Sequence, residues 1–217
     1  MKTLLVATTN PDKLREIRSI LSGLDLDLRT LERLPSIPEA VEDGRTFAEN
    51  ARKKALHYAE ASELPTVAED SGLEIDALGG EPGVYSSRFG GASAPTYPDK
   101  FREIYRRLDA RAALLQGPGT MTAAIASGRA GKARFVCALA LADAGAILFE
   151  TCGVIEGELA AEPRGIRGFG YDPILFYPPL GRTLGELSRE EKAIVSHRGQ
   201  AFRALREFLA HEVASGR

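Results

Sequence analysis

At 217 residues, with 44% hydrophobic and 27% charged residues, the chain has the composition of a soluble globular protein, long enough for one large or two-lobed domain, and disorder is not its default. A formal net charge of -2 argues against a non-specific polyanion binder, so no nucleic-acid partner is expected, although a local basic cluster can still grip a small anion. The opening MKTLLVATTN has no apolar stretch long enough for a signal peptide or a membrane span, which predicts a cytoplasmic protein with no membrane partner.

Residues 2–7 are a short apolar run, followed by Thr8-Thr9-Asn10-Pro11-Asp12 and a helical pattern at Leu14, Ile17, Ile20 and Leu21. This predicts strand, loop, helix. Asn10 suits the helix cap and Pro11 its first position, so free backbone N–H groups are expected at the strand end, where an anion would be welcome. Residues 26–31 predict a second strand. Thr46 and Glu49 form a T-x-x-E capping box ahead of an apolar stripe at Phe47, Ala51, Ala55, Tyr58 and Ala59. Asn50 and Lys54 lie four apart on one face of that helix, which Leu64-Pro65 ends.

Residues 66–68 read as a strand running into a turn at Glu69-Asp70-Ser71-Gly72, with 73–78 as a further strand. A turn at 79–83, an amphipathic helix at 98–115 and a flexible loop at 116–132, rich in Gly, Ala, Ser and Thr, follow. Residues 134–143 and 147–159 read as a hairpin around Asp143-Ala144-Gly145. Beyond the loop at 168–173 come a short strand to Phe176 and a helix opened by Ser188 with Glu191 as a second capping box. On one continuous helix Lys192 and His197 would be roughly 140° apart. A break is therefore predicted near Ser196, which would cap a last helix from about His197 to Glu212. Cys137 and Cys152 lie in strand-like runs with no CxxC, and the three histidines fit no zinc spacing, so both read as reduced, buried thiols.

Several groups can carry chemistry, each with a plain structural reading beside it. Lys13 with Thr8, Thr9 and Asn10 can cradle phosphates, though neither GxxxxGK[ST] nor GxGxxG is present; a capped helix with an exposed lysine has the same composition. Glu69 and Asp70, with Glu42, offer hard oxygen for Mg²⁺ and a base for its water, or a solvated acidic turn. Phe169 between two glycines is a platform for stacking a base, or a core side chain beside a turn. Lys192, His197, Arg198 and Arg88 suit a phosphate or a base edge, or a solvated helix surface.

Taken together, TTNPDK, TFAENARKKA, AEDSGL, LGGEPGVYSSRF, GFGYDP and EEKAIVSHRGQA resemble the inosine triphosphate pyrophosphatase family, in order and spacing, from about Lys2 to Leu209. The resemblance implies an elongated, two-lobed α/β fold over residues 1–217, a mixed twisted sheet flanked by helices, with the active site in the cleft and a homodimer as the assembly. It implies Mg²⁺-dependent hydrolysis of ITP, dITP and XTP to the monophosphate and pyrophosphate, which keeps deaminated purines out of DNA and RNA.

By the same resemblance Thr8, Thr9, Asn10, Pro11, Asp12 and Lys13 form the phosphate loop, and Lys54 and Lys192 are further triphosphate lysines. Asp70 is the general base and a metal ligand, Glu42 a second metal ligand, and Ser71 a substrate contact. Phe169, Gly170, Tyr171 and Asp172 sandwich and read the base, and His197 and Arg198 recognise the 6-oxo edge of the purine. Glu69 stands where many relatives have aspartate, so no ligand role is carried over to it. Maf-like pyrophosphatases and a non-catalytic nucleotide-binding module are the alternatives; GFGYDP and SHRG oppose the first, and Asp70, Glu42 and Lys13 the second.

Overall fold

The computed structural model describes residues 2–34, 37–116 and 131–214. Residues 117–130, most of the expected 116–132 loop, lie outside them. Among the described residues are seven strands, β1 (Lys2–Val6), β2 (Leu26–Thr30), β3 (Thr66–Ile75), β4 (Lys132–Asp143), β5 (Ala146–Leu159), β6 (Leu175–Tyr177) and β7 (Arg182–Thr183). They form one sheet in the order β2-β1-β3-β4-β5-β6-β7. The sheet is mixed: β1 pairs in parallel with β2 and β3, while β6 runs antiparallel to β5 and β7. Among the described residues five α-helices accompany it, α1 (Pro11–Leu21), α2 (Phe47–Ser62), α3 (Tyr97–Gln116), α4 (Arg189–Val195) and α5 (His197–Ala214). No helix among the described residues is long and apolar enough to cross a membrane.

The chain divides into two compact units. The first comprises Met1–Ser71, Val136–Val154 and Ala193–Arg217. Its core joins Leu14, Ile17 and Leu21 of α1 to Ala201, Phe202 and Leu205 of α5, over Leu4, Val6, Val67, Leu139 and Leu141 of the strands. The i, i+3, i+7 spacing on α1 is what puts its three on one side. Burying each such aliphatic or aromatic side chain contributes roughly 1.5–3 kcal/mol. Arg206 of α5 donates to the carbonyl of Ile20 at 2.8 Å, satisfying an acceptor in the last turn of α1.

The second unit comprises Gly72–Phe135 and Ile155–Lys192. Its buried side chains include Leu73 and Ile75 of β3, Phe101, Ile104 and Leu108 of α3, and Tyr171, Ile174 and Leu175. Gly72 matters here because a Cβ would stand 2.7 Å from the Gly83 carbonyl and against the Ser86 hydroxyl. Only hydrogen lets that turn close on β3.

Local signals hold in most places. Asn10 caps α1, with Pro11 in first position. Both central residues of the β4–β5 turn, Ala144 and Gly145, have positive φ (47° and 80°), as a two-residue hairpin turn requires. The chain breaks at Ser196, whose hydroxyl accepts from the Gly199 N–H at 3.0 Å. The box at Ser188 and Glu191 closes in both directions, at 3.1 and 2.8 Å. At α2 only half of the expected box forms: Thr46 accepts from the Glu49 N–H, but the Glu49 carboxylate takes the N–H of Arg45 instead of Thr46.

Two readings are corrected. Glu69-Asp70-Ser71-Gly72 is not a turn at a strand end, since β3 runs unbroken from Thr66 to Ile75. Its acidic pair tolerates the buried strand because cations and an amide from other elements compensate it. Cys137 is a buried thiol as expected, whereas Cys152 on β5 is exposed.

Candidate functional site

In the first unit the chain leaves β1 at Val6 and reaches α1 through Ala7–Asn10, with Ala7 still bonded to Val67 of β3 (2.8 Å). The Asn10 side chain accepts from the N–H groups of Asp12 (2.9 Å) and Lys13 (3.2 Å). Leu14 N–H bonds the Asn10 carbonyl at 3.0 Å, and Pro11 has no N–H to offer. The donors of the first helical turn are therefore satisfied within the helix, contrary to the expectation of free N–H groups there. Asp12 pairs with Arg15 at 2.9 Å, and Thr8 accepts from the Asn10 N–H at 3.2 Å. Thr9 and Pro11 are exposed, and the side chains of Thr8, Asn10, Asp12 and Lys13 are half-buried.

β3 brings the carboxylates to this loop. Lys13 pairs with the Glu69 carboxylate at 2.6 Å, and Arg198 approaches the same oxygen at 3.5 Å. Lys54 pairs with Glu42 at 2.6 Å and donates to the Glu69 carbonyl at 3.3 Å. Asp70 is held separately: one carboxylate oxygen accepts from the Asn50 amide at 2.8 Å, the other from the Ser71 N–H at 3.0 Å. Asn50 and Lys54, one helical turn apart on α2, so serve adjacent residues of one strand.

The two neighbouring acids differ in character. Burial pushes the Asp70 carboxyl above the ordinary range, against the Asn50 bond and the Lys54 charge, and Glu42 and Glu69 add to the push. Burial acts the same way on Glu69, but there Arg198 and Lys13 overcome it and hold the carboxyl well below the ordinary range. A raised and a depressed carboxyl side by side is the arrangement from which a base and a fixed counter-charge are made. Glu42 and Asp70 together offer hard oxygen donors, the kind Mg²⁺ takes alongside waters and substrate phosphate. Among the described residues no group of three or more His, Cys, Asp or Glu side chains could hold a metal without such help.

α5 supplies the remaining cation. Its first turn lies directly on β5, where a Cβ on Gly153 would run into the His197 carbonyl and stand 2.9 Å from the Ala201 nitrogen. Arg198, 2% exposed, donates to Glu16 at 2.9 Å and to the Ser71 hydroxyl at 2.9 Å, besides approaching Glu69. His197 is buried beside it.

The second unit holds the loop at 168–172. Gly168 (φ 72°) and Gly170 (φ 66°) flank Phe169 in a conformation that side chains resist. Asp172 accepts from the Phe169 N–H at 2.7 Å and from Lys192 at 2.6 Å. The Lys192 ammonium stands 4.4 Å from the Phe169 ring centroid. Tyr171 is buried against Tyr97 and Phe101, with centroids at 5.2 and 6.0 Å, and its hydroxyl donates to the Ser86 carbonyl at 2.8 Å. Arg88 lies over the exposed Tyr85 ring.

The structure thus gathers Lys13, Glu42, Lys54, Asp70, Ser71 and Arg198 into one cluster, and Phe169, Tyr171, Asp172 and Lys192 into another. Sequence reasoning overlooked Asn50 as the partner of Asp70, Glu16 as a partner of Arg198, and the pairing of Glu69 with Lys13 and Arg198. The four-residue spacing of Asn50 and Lys54 was a usable signal; nothing local points to Glu16, whose partner is 182 residues away.

The Ham1 family model matches residues 4–208. The chain is 43% identical over 202 residues to a dITP/XTP pyrophosphatase of Exiguobacterium sp., covering 93% of this chain and 94% of that one. It is 45% identical over 213 residues to a dITP/XTP pyrophosphatase of Thermus thermophilus, covering 95% and 91%. Among solved structures, a HAM1 protein from Coxiella burnetii superposes with a TM-score of 0.83 at 37% identity, covering 97% of this chain and all of that one.

Proposed function

The chain belongs to the Ham1 family, and from that premise we propose that it hydrolyses the non-standard purine triphosphates ITP, dITP and XTP to the monophosphate and pyrophosphate. The observation that carries this reading is a base-like carboxylate, Asp70, fixed by Asn50 beside Lys13, Lys54 and Arg198. In the proposed step water attacks the α-phosphorus, its proton passes to Asp70, and the α–β anhydride bond breaks with its electrons leaving on pyrophosphate. Lys13 and Lys54 hold the charge that grows on the leaving group, with Thr8, Thr9, Asn10, Pro11 and Asp12 shaping the loop around the phosphates. Ser71, bonded to Arg198, contacts the substrate.

Glu42 and Asp70 are the residues that would hold a divalent metal, proposed as Mg²⁺. When bound, such an ion lowers the pKa of its water and offsets phosphate charge. Phe169, Gly170, Tyr171 and Asp172 form the base platform in this reading, and His197 and Arg198 the donors for the 6-oxo edge. Adenine, with an amino group at that position, would leave those donors unmatched. The two compact units then act as one pyrophosphatase domain, in the cytoplasm and as a homodimer, removing deaminated purines from the nucleotide pool.

The test is pyrophosphate release from ITP, XTP, dITP, GTP, ATP and dTTP, with and without Mg²⁺, by wild type and Asp70→Asn. The expected result is metal-dependent cleavage of the 6-oxo purines, reduced at least ~10²-fold by the substitution. Near-normal turnover in Asp70→Asn would remove Asp70 as base. Preference for a pyrimidine triphosphate would overturn the substrate class.

A further inference from the structure

Lys192 is 5% exposed and its ammonium lies 2.6 Å from the Asp172 carboxylate, itself 2% exposed. The same oxygen of Asp172 takes the backbone N–H of Phe169 at 2.7 Å. That N–H belongs to the residue between Gly168 and Gly170, both at positive φ, where backbone freedom is greatest. A Cβ on Gly168 would run into the Asp172 carboxylate, so the loop is folded tightly over this anchor. The Lys192 ammonium also faces the Phe169 ring at 4.4 Å, within cation–π range. One ammonium thus touches the anchor of the Phe169 backbone and the ring that the backbone carries.

Lys192 is placed by its own helix. The reciprocal cap of Ser188 and Glu191 fixes the start of α4, and Glu191 is held in turn by Arg182 at 2.6 Å. Lys192 N–H bonds the Ser188 carbonyl at 2.9 Å, within that same first turn. To serve a phosphate, the ammonium would have to leave a buried carboxylate without its counter-charge. Staying on Asp172, it steadies the loop instead.

We propose that Lys192 is a positioning residue for the base platform, acting through Asp172 on the Phe169 backbone and directly on its ring, and not a ligand of the triphosphate. This rests on reading Phe169 as the surface on which the base stacks. The three lysines then have separate roles, Lys13 and Lys54 serving the phosphates and Lys192 serving recognition of the base.

The experiment compares full-length wild type, Lys192→Gln and Lys192→Arg by two readouts. The first, on ligand-free protein, is amide hydrogen exchange at Phe169, with the Ala160 amide, bonded to the Ile174 carbonyl, as control. Lys192→Gln should lose ~10-fold or more of the protection at Phe169 and keep it at Ala160, and Lys192→Arg, which retains a cation for Asp172, should recover protection. The second readout is kcat/KM for ITP against the inhibition constant of tripolyphosphate, which carries no base. Lys192→Gln should lower kcat/KM for ITP at least ~10-fold, chiefly through KM, and leave tripolyphosphate inhibition unchanged.

Equal losses for ITP and tripolyphosphate would make Lys192 a direct phosphate ligand and overturn the proposal. Unchanged exchange at Phe169 would overturn it too. If wild type cleaves no ITP, the functional reading itself fails, while the exchange readout, which needs no turnover, still decides whether Lys192 holds the Phe169 loop. A Lys192→Gln chain that does not fold leaves the decision to Lys192→Arg: ordinary exchange at Phe169 with tripolyphosphate inhibition weakened as much as ITP turnover refutes it.

Discussion

The Asn50 side chain ties a backbone to a carboxylate: its carbonyl oxygen takes the Gly44 N–H at 2.7 Å and its amide donates to the Asp70 carboxylate at 2.8 Å. The first bond fixes which end of the amide faces the carboxylate. Asn50 is wholly buried, so neither bond is exchanged with water. Asn50→Ala should leave the fold intact at a cost of about 1–3 kcal/mol and lower kcat by roughly 10-fold or more, because Asp70 loses the partner that orients it. Urea unfolding and steady-state kinetics check this. Unchanged kcat would show that Asn50 serves the fold alone.

Arg198 and Glu69 are buried and Lys13 is half-buried, and each of the three has an opposite charge within reach. Arg198→Met leaves Glu69 to Lys13 alone and removes the bonds to Glu16 and Ser71, so it should destabilise by about 1–3 kcal/mol. The double variant Arg198→Met with Glu69→Gln should lose clearly less than the sum of the two single variants. Additive losses would mean that the two side chains contribute independently. The same Arg198 bears on recognition. Among variants that remain folded, Arg198→Ala should reduce the ITP-over-ATP ratio more than it reduces ATP hydrolysis, and an unchanged ratio would remove it from the base edge.

The two thiols should react very differently. Burial raises the Cys137 thiol well above its ordinary value, and the neighbouring Glu69 carboxylate adds to the effect. The thiolate is the reactive form, so Cys137 should resist iodoacetamide in the folded protein even at mildly alkaline pH, while exposed Cys152 is labelled. The linkage has a sign. A group that resists losing its proton when folded weakens the fold as pH climbs past the ordinary thiol value of about 8.5, and Cys137→Ala should reduce that loss. Mass spectrometry of labelled peptides is the check, and rapid labelling of folded Cys137 would contradict its burial.

At Gly153 the backbone of α5 lies directly on β5. Both nearest groups are backbone, so they cannot swing aside for a methyl group. Gly153→Ala should cost about 1–3 kcal/mol and shift the first turn of α5, lowering activity through Arg198 without touching it. A melting temperature equal to wild type would show that the helix has room to move.

Most elements were legible because their signals are local. Asn10-Pro11, Ser188-x-x-Glu191 and the break at Ser196 each need a few residues of sequence, and each appears where its chemistry predicts. The acidic run in β3 was misread because Glu69-Asp70-Ser71-Gly72 has turn composition, and what keeps it extended and buried comes from distant elements. Arg198 lies 129 residues from Glu69, and Cys137 lies 68 away. The candidate residues were found largely by resemblance, but their partners were not. The helical spacing of Asp12 and Arg15 announces their pair, but no spacing rule tells that Asp172 answers to Lys192.

The capped start of α1 has one more consequence. With the N–H groups of Asp12 and Lys13 already engaged by Asn10, an anion at this loop would depend chiefly on ammonium groups that already have carboxylate partners. On the proposed reading the cluster would behave as an ion exchanger. A triphosphate would displace Glu69 from Lys13 and Glu42 from Lys54, and the carboxylate released on Glu42 would be open to a divalent cation arriving with the nucleotide. Free nucleotide and free metal should each bind weakly, and the pair together tightly.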